Sequence, residues 1–195
     1  NRSLDQNFKT MNLIETFIFV HDQEIILEFD LKNRFNVFDN FKYVFLGSGK
    51  IDKILDKPNV IVARNLEKNI EQYPKLTSFT GWYALVKNGL INSKYVNFFE
   101  YDINYVNEID SIIKEITKKN FDFIGYFPMS INDIVYVKQR QWVDTLINSV
   151  KNKTGFDIDK LIEEKVKNNP SEVWSSSSNS TWKTENLIDY VDWFS

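Results

Sequence analysis

Residues Leu76 to Asp102 read LTSFTGWYALVKNGLINSKYVNFFEYD, and this stretch decides the fold. Its first part, Leu76 to Lys87, mixes strong helix formers with apolar residues at helical spacing. Asn88-Gly89 follows as a stop signal, because both residues tolerate the left-handed turn that ends a helix. Tyr95 to Tyr101 (YVNFFEY) is then an apolar, aromatic run of strand length, and it ends in the acid-x-acid step Glu100-Tyr101-Asp102. A helix, a short turn and a buried strand in that order make half of a βαβ layer.

The same grammar extends outward in both directions. Upstream, Leu13 to Val20 (LIETFIFV), Tyr43 to Leu46 (YVFL) and Asn59 to Ala63 (NVIVA) are short runs typical of parallel strands covered on both faces. Glu24 to Phe29 (EIILEF) suits either a second strand or a short helix. Downstream, Val106, Ile109, Ile113 and Ile116 repeat at helical spacing, which predicts an amphipathic helix over Asn104 to Lys119. Phe121 to Phe127 predicts a strand. Trp142 to Val150, Leu161 to Val166 and Glu185 to Phe194 predict helices, and Ser175 to Ser180 (SSSSNS) reads as a polar loop. Alternating strands and helices predict an α/β domain with a mostly parallel central sheet flanked by helices. Residues 1–10 are expected to be an extension and residues 11–195 the domain.

Composition narrows the chemistry. With no Cys and a single His, His21, neither thiolate nor multi-histidine metal sites are available. A metal ion would have to be held by oxygen, which favours Mg²⁺ or Mn²⁺. His21 is the only possible imidazole base, and no serine or cysteine nucleophile constellation is expected. Net charge is −3 without a basic stripe, so nucleic acid is not an expected partner. No apolar run approaches the roughly 20 residues of a membrane span, and Asn1 to Thr10 lacks an apolar signal region. A cytoplasmic protein is expected, in the host cytoplasm if the source is a virus.

Several groups are candidates for a site. Glu100 and Asp102, at i and i+2 past a buried strand, can face one cation beside a diphosphate. The same spacing recurs at Asp22/Glu24, Glu28/Asp30, Glu108/Asp110 and Asp157/Asp159, and what distinguishes Glu100/Asp102 is the strand before and the helix after. The competing reading is an ordinary solvated strand end. His21-Asp22 follows the first strand, where open α/β sheets bind ligands. Arg64, after the third strand, can meet a phosphate or make a surface ion pair. Gly47-Ser48-Gly49-Lys50 lacks the spacing of a nucleotide-hydrolase phosphate loop and reads as a turn. On the helix from Leu76, Trp82 aligns with Phe79 and Leu85 on the apolar arc. Tyr83 aligns with Thr80 and Lys87 on the polar one, so Tyr83 is expected to stack on a base and Lys87 to reach phosphate.

The Leu76–Asp102 stretch, with its T-G-x-Y-x-x-x-K-N helix leading to an acidic triplet, resembles small GT-A glycosyltransferases. These occur in large DNA viruses, including the chlorella-virus glycosyltransferase domain, and in bacterial capsule and lipopolysaccharide clusters. Ser177-Ser178-Asn179 and Lys183 to Phe194 resemble that group's acceptor-side loop and its closing helix, which ends in Trp-Phe. The resemblance implies a UDP- or GDP-type sugar donor, a glycan acceptor and Mn²⁺ or Mg²⁺ on the diphosphate. It implies that Asp102 ligates the metal and that Glu100 contacts ribose or a water on the metal. Glu100 stands where the family usually has Asp. Val20, His21 and Asp22 would line the nucleoside pocket, with Tyr101 beside it. The family's later metal-holding His has no counterpart after Asp102. An inverting reaction would need a carboxylate base. Asp133 is the candidate, with Asp122 and Glu172 behind it, while a retaining reaction needs none. Two other classes stay open: a nucleotidyltransferase of similar sheet type, and a non-catalytic module binding sugar or protein through aromatics such as Trp174 and Trp182.

Overall fold

The computed structural model describes residues 12–103, 108–126, 128–130, 144–145, 147–157, 160, 164, 173–175 and 178–195. They fall into two compact units. The larger comprises the chain up to Ile124 and again Ser178–Ser195, and the smaller is Gly125–Ser177.

The larger unit is built on β1 (Asn12–Val20), α1 (Gln23–Leu31), β2 (Phe41–Phe45), β3 (Val60–Val62), α2 (Ser78–Lys87), β4 (Ser93–Glu100) and α3 (Ile109–Lys118). The chain continues into β5 (Phe123–Gly125). The smaller unit pairs β6 (Pro128–Ser130) with β7 (Val173–Ser175) in an antiparallel ladder, and residues 147–154 are helical. Returning to the larger unit, the chain forms β8 (Ser180–Lys183) and α4 (Thr184–Phe194). Six strands make one sheet in the order β3-β2-β1-β4-β8-β5. β1 runs parallel to β2 and β4, β2 runs parallel to β3, and β8 is antiparallel to β4. The expected α/β class and mostly parallel sheet are therefore present.

Successive residues of a strand point to opposite faces, so a central strand covered on both sides must be apolar throughout. Phe17, Ile18, Phe19 and Val20 are all buried. On one face Phe17, Phe19, Val44, Val96 and Phe98 pack with Trp82, Ala84 and Leu85 of α2 and with Leu187 and Val191 of α4. On the other, Phe35 packs edge-on against Tyr43 and Phe38 stacks on Phe99. Gly81 lets α2 lie close to the sheet, because a Cβ there would sit 2.4 Å from Cε1 of Phe19.

The Glu24–Phe29 alternative resolves as helix. Asp22 accepts the Glu24 N–H at 3.0 Å and caps α1, supplying an acceptor that the first turn cannot supply itself. Helix α3 and strand β5 are shorter than their apolar patterns suggest. Ile113 is fully buried on α3, as its spacing requires. Strand β8 is a correction to the sequence reading, which left these residues to a loop and the start of a helix. Its Thr181 hydroxyl donates to Asn97 Oδ1 at 2.6 Å, and Asn97 Nδ2 donates to Thr16 Oγ1 at 3.1 Å. This buried polar ladder ties β8, β4 and β1 together where unpaired polar groups would be costly. Of the predicted helix at Leu161 to Val166 only Glu164 is described, and it is helical, while the candidates Asp133 and Glu172 lie outside the described residues. Among those residues, no helix is long and apolar enough to cross a membrane.

Candidate functional site

Sequence order along the sheet places the site. From β1 the chain moves outward through β2 to β3, then returns to the other side of β1 as β4. The crevice outside the carboxyl ends of β1 and β4 is thus the switch point where open α/β sheets bind ligands. A cleft of about 470 Å³ opens there. Phe19, Val20 and His21 line it from β1, Glu100 from β4, and Ser78 and Thr80 from α2. Leu46, Gly47, Glu71, Pro74, Thr77 and Ser178 complete the wall.

Glu100 is the most constrained carboxylate in the cleft. The Ser78 hydroxyl donates to its Oε1, and Ser178 bonds the same carboxylate. The two serine oxygens are 3.3 Å apart. Asn179 Oδ1 accepts the Glu100 backbone N–H at 2.8 Å. Burial pushes the Glu100 carboxyl above the usual carboxylate range, opposed by the Ser78 hydrogen bond and reinforced by the nearby charge of Asp102. Asp102 itself is exposed. Between them, Tyr101 meets the His21 ring edge-on at 5.0 Å, and its N–H donates to the Phe19 carbonyl at 3.2 Å. The end of β4 is thereby tied to the end of β1.

The opposite wall is a clamped turn. Arg64 donates to the carbonyls of Gly47 at 2.6 Å and Gly49 at 2.8 Å. Gly47 has φ +81°, a left-handed conformation suited to glycine. Its N–H donates to Glu71 Oε2. Arg64 is therefore the fastener of the Gly47–Gly49 turn.

Of the residues singled out in the sequence, Val20, His21, Thr80 and Glu100 meet at the cleft, and Tyr101 and Asp102 follow at its β4 side. Asp22 turns to the α1 cap. Tyr83 and Lys87, expected at a base and a phosphate, are not among the residues that line the cleft. Lys87 Nζ pairs with Asp192 of α4 at 2.7 Å and stands 5.8 Å over the Tyr83 ring. They fasten helix to helix. The polar arc of α2 is shared: its first turn faces the cleft, and its last turn faces α4. Trp82 is buried, as its arc implies. Ser78 and Glu71 were missed as site residues. A serine in the first turn of a helix and an acid in a loop carry no spacing signal. Ser178 and Asn179, which the resemblance gave to an acceptor-side loop, bond Glu100.

Glu100 and Asp102 offer hard oxygen donors of the kind Mg²⁺ and Mn²⁺ prefer. Among the described residues, no group of three or more His, Cys, Asp or Glu side chains is arranged to hold a metal. Of the two carboxylates, Glu100 is already engaged by serines, and further ligands would have to complete the shell. No protein-family model matches the chain, and no curated protein sequence matches it.

Proposed function

We propose that this chain is a cytoplasmic GT-A-like glycosyltransferase, moving a sugar from a nucleoside-diphosphate sugar of UDP type to a glycan acceptor. The observation that carries the reading is the Glu100-Tyr101-Asp102 step leaving β4 at the switch point, with Glu100 in the wall of a ligand-sized cleft. Strand ends there are the default ligand position of such sheets. An acid pair beside the position of a diphosphate supports metal-assisted departure of the nucleotide.

In this reading Asp102 is the exposed carboxylate that holds Mn²⁺ or Mg²⁺. Glu100, fixed by Ser78 and Ser178, accepts a hydrogen bond from the donor's ribose. The metal supplies positive charge where negative charge gathers on the departing diphosphate. The ends of β1 and β4, joined through His21 and Tyr101, set the floor against which the nucleoside rests. If the transfer inverts, Asp133 is the proposed base.

The test is a calorimetric titration of Mn²⁺ with and without UDP, followed by UDP-sugars. Mn²⁺ and UDP are expected to tighten each other by the same factor. Saturating UDP plus Mn²⁺ should stabilise the fold by about 2.7 kcal/mol at 100 times the dissociation constant. Equal Mn²⁺ affinity in both titrations would remove the metal-bridged diphosphate. Preference for a nucleoside triphosphate would favour a nucleotidyltransferase, and sugar binding without nucleotide or metal would favour a carbohydrate-binding module.

A further inference from the structure

Asp102 lies past the last ladder position of β4, where Glu100 pairs with Phe19 of β1. The sheet therefore does not fix it, and its side chain is exposed. A carboxylate that must be ordered as it takes a ligand loses affinity to that ordering. Two backbone bonds hold the step instead, one on each side of Asp102. The Tyr101 N–H donates to the Phe19 carbonyl at 3.2 Å. The Ile103 carbonyl accepts from Arg34 Nη2 at 2.5 Å, across 69 positions of sequence.

Arg34 is itself preset by the way α1 ends. Asn33 takes φ +51°, a left-handed turn that asparagine tolerates. The Asn33 N–H donates to the Asp30 carbonyl at 3.2 Å, and the Arg34 N–H to the Phe29 carbonyl at 3.0 Å. These two bonds close the helix and bring Arg34 back over its own last turns. The guanidinium lies 4.4 Å from the centroid of the Phe29 ring. Phe29 is buried and its ring meets that of Tyr101 at 6.5 Å. A planar guanidinium can stack through its face while it donates through its edge. We propose that Arg34 is a positioning residue, which by gripping the Ile103 carbonyl holds Asp102 in place for a divalent cation. The proposal rests on the metal-assisted nucleotide reading above.

Calorimetry on the full chain tests it, with Mn²⁺ titrated at saturating UDP and UDP titrated in EDTA. Arg34→Met keeps an apolar stem over Phe29 and removes the donors. It is expected to bind Mn²⁺ about tenfold more weakly than the native chain, the scale of losing a partner that orients a metal ligand. Its UDP affinity in EDTA should not change, because only the exit of β4 has loosened. General damage to the cleft would weaken both titrations together. Native Mn²⁺ affinity in the folded variant would overturn the proposal, and so would an equal fall in the metal-free titration. In both cases Mn²⁺ and UDP still tighten each other on the native chain, and the nucleotide reading stands. Absence of that mutual tightening in the native chain would overturn both. A melting curve checks the variant's fold. Should Arg34→Met not fold, Arg34→Lys decides by the same two titrations, since an ammonium keeps the charge but cannot reproduce the stacked fork.

Discussion

Two glutamates stand at opposite ends of the paired strands β1 and β4, and they are buried on different terms. Glu15, near the start of β1, is 5% exposed. Its Oε1 lies 3.4 Å from Lys42 Nζ, and its Oε2 accepts the Asn92 N–H at 2.6 Å. Glu100, at the end of β4, is held by serine hydroxyls beside an open cleft, next to the charge of Asp102. Glu15 meets a cation and an amide, so its charge is answered within the fold. Burial raises the Glu100 carboxyl's pKa, so its ionised form weakens the fold. A carboxylate that weakens its own fold at the mouth of a cleft is a better site candidate than one neutralised between strands.

The sharpest way to break this contrast is at the exposed member of the acid pair. Asp102→Asn is expected to lower sugar transfer by at least about a hundredfold, the scale of losing one preorganised electrostatic contact. The melting temperature should not change, because Asp102 is exposed. Glu15→Gln should retain transfer. Wild-type turnover by a folded Asp102→Asn protein would leave the β4 end as an ordinary strand end.

Between the two ends lies the packing that holds them. Trp82→Ala is expected to cost about 3–5 kcal/mol of stability, since the ring is buried between α2 and the sheet. Tyr83→Ala, one residue on, should cost about 1 kcal/mol and leave UDP affinity unchanged. Chemical denaturation and calorimetry check the pair, and loss of UDP binding in folded Tyr83→Ala would restore Tyr83 to the site. Gly81→Ala should cost about 1–3 kcal/mol through its clash with Phe19.

The smallest effects test the comparison most directly, because they differ in sign. The Glu100 carboxyl is raised above the ordinary glutamate value of about 4.3. Its contribution to stability is complete below that value and is lost as pH rises through the folded pKa. Glu100→Gln should therefore match the native chain in acid and exceed its melting temperature above that window. Glu15→Gln should instead lose about 1 kcal/mol at neutral pH by breaking the Lys42 pair. Melts of both variants across pH check this, and a Glu100→Gln protein less stable than native at neutral pH would refute the argument from burial.

The sequence by itself determined the strands β1, β2, β3 and β4, the helix α2 and the position of Glu100 at a strand end. Those features rest on local periodicity and on turn residues such as Asn88-Gly89, which act over one or two turns of chain. It also determined that any metal here would be held mainly by oxygen, because the chain has no Cys and a single His. Only the tertiary structure decided the rest. Strand β8 exists because Asn97, over eighty positions earlier, offers Thr181 a partner, and SSSSNSTWK read alone has the composition of a loop. Arg64 and Lys87 are spent on Gly47, Gly49 and Asp192, and a cation's partner is a matter of distance in space that no spacing along the chain records. Ser78, Ser178 and Glu71 enter the cleft for the same reason. Strands pair and helices cross at long separation, and the cleft belongs to the ends of β1, β2 and β4 together.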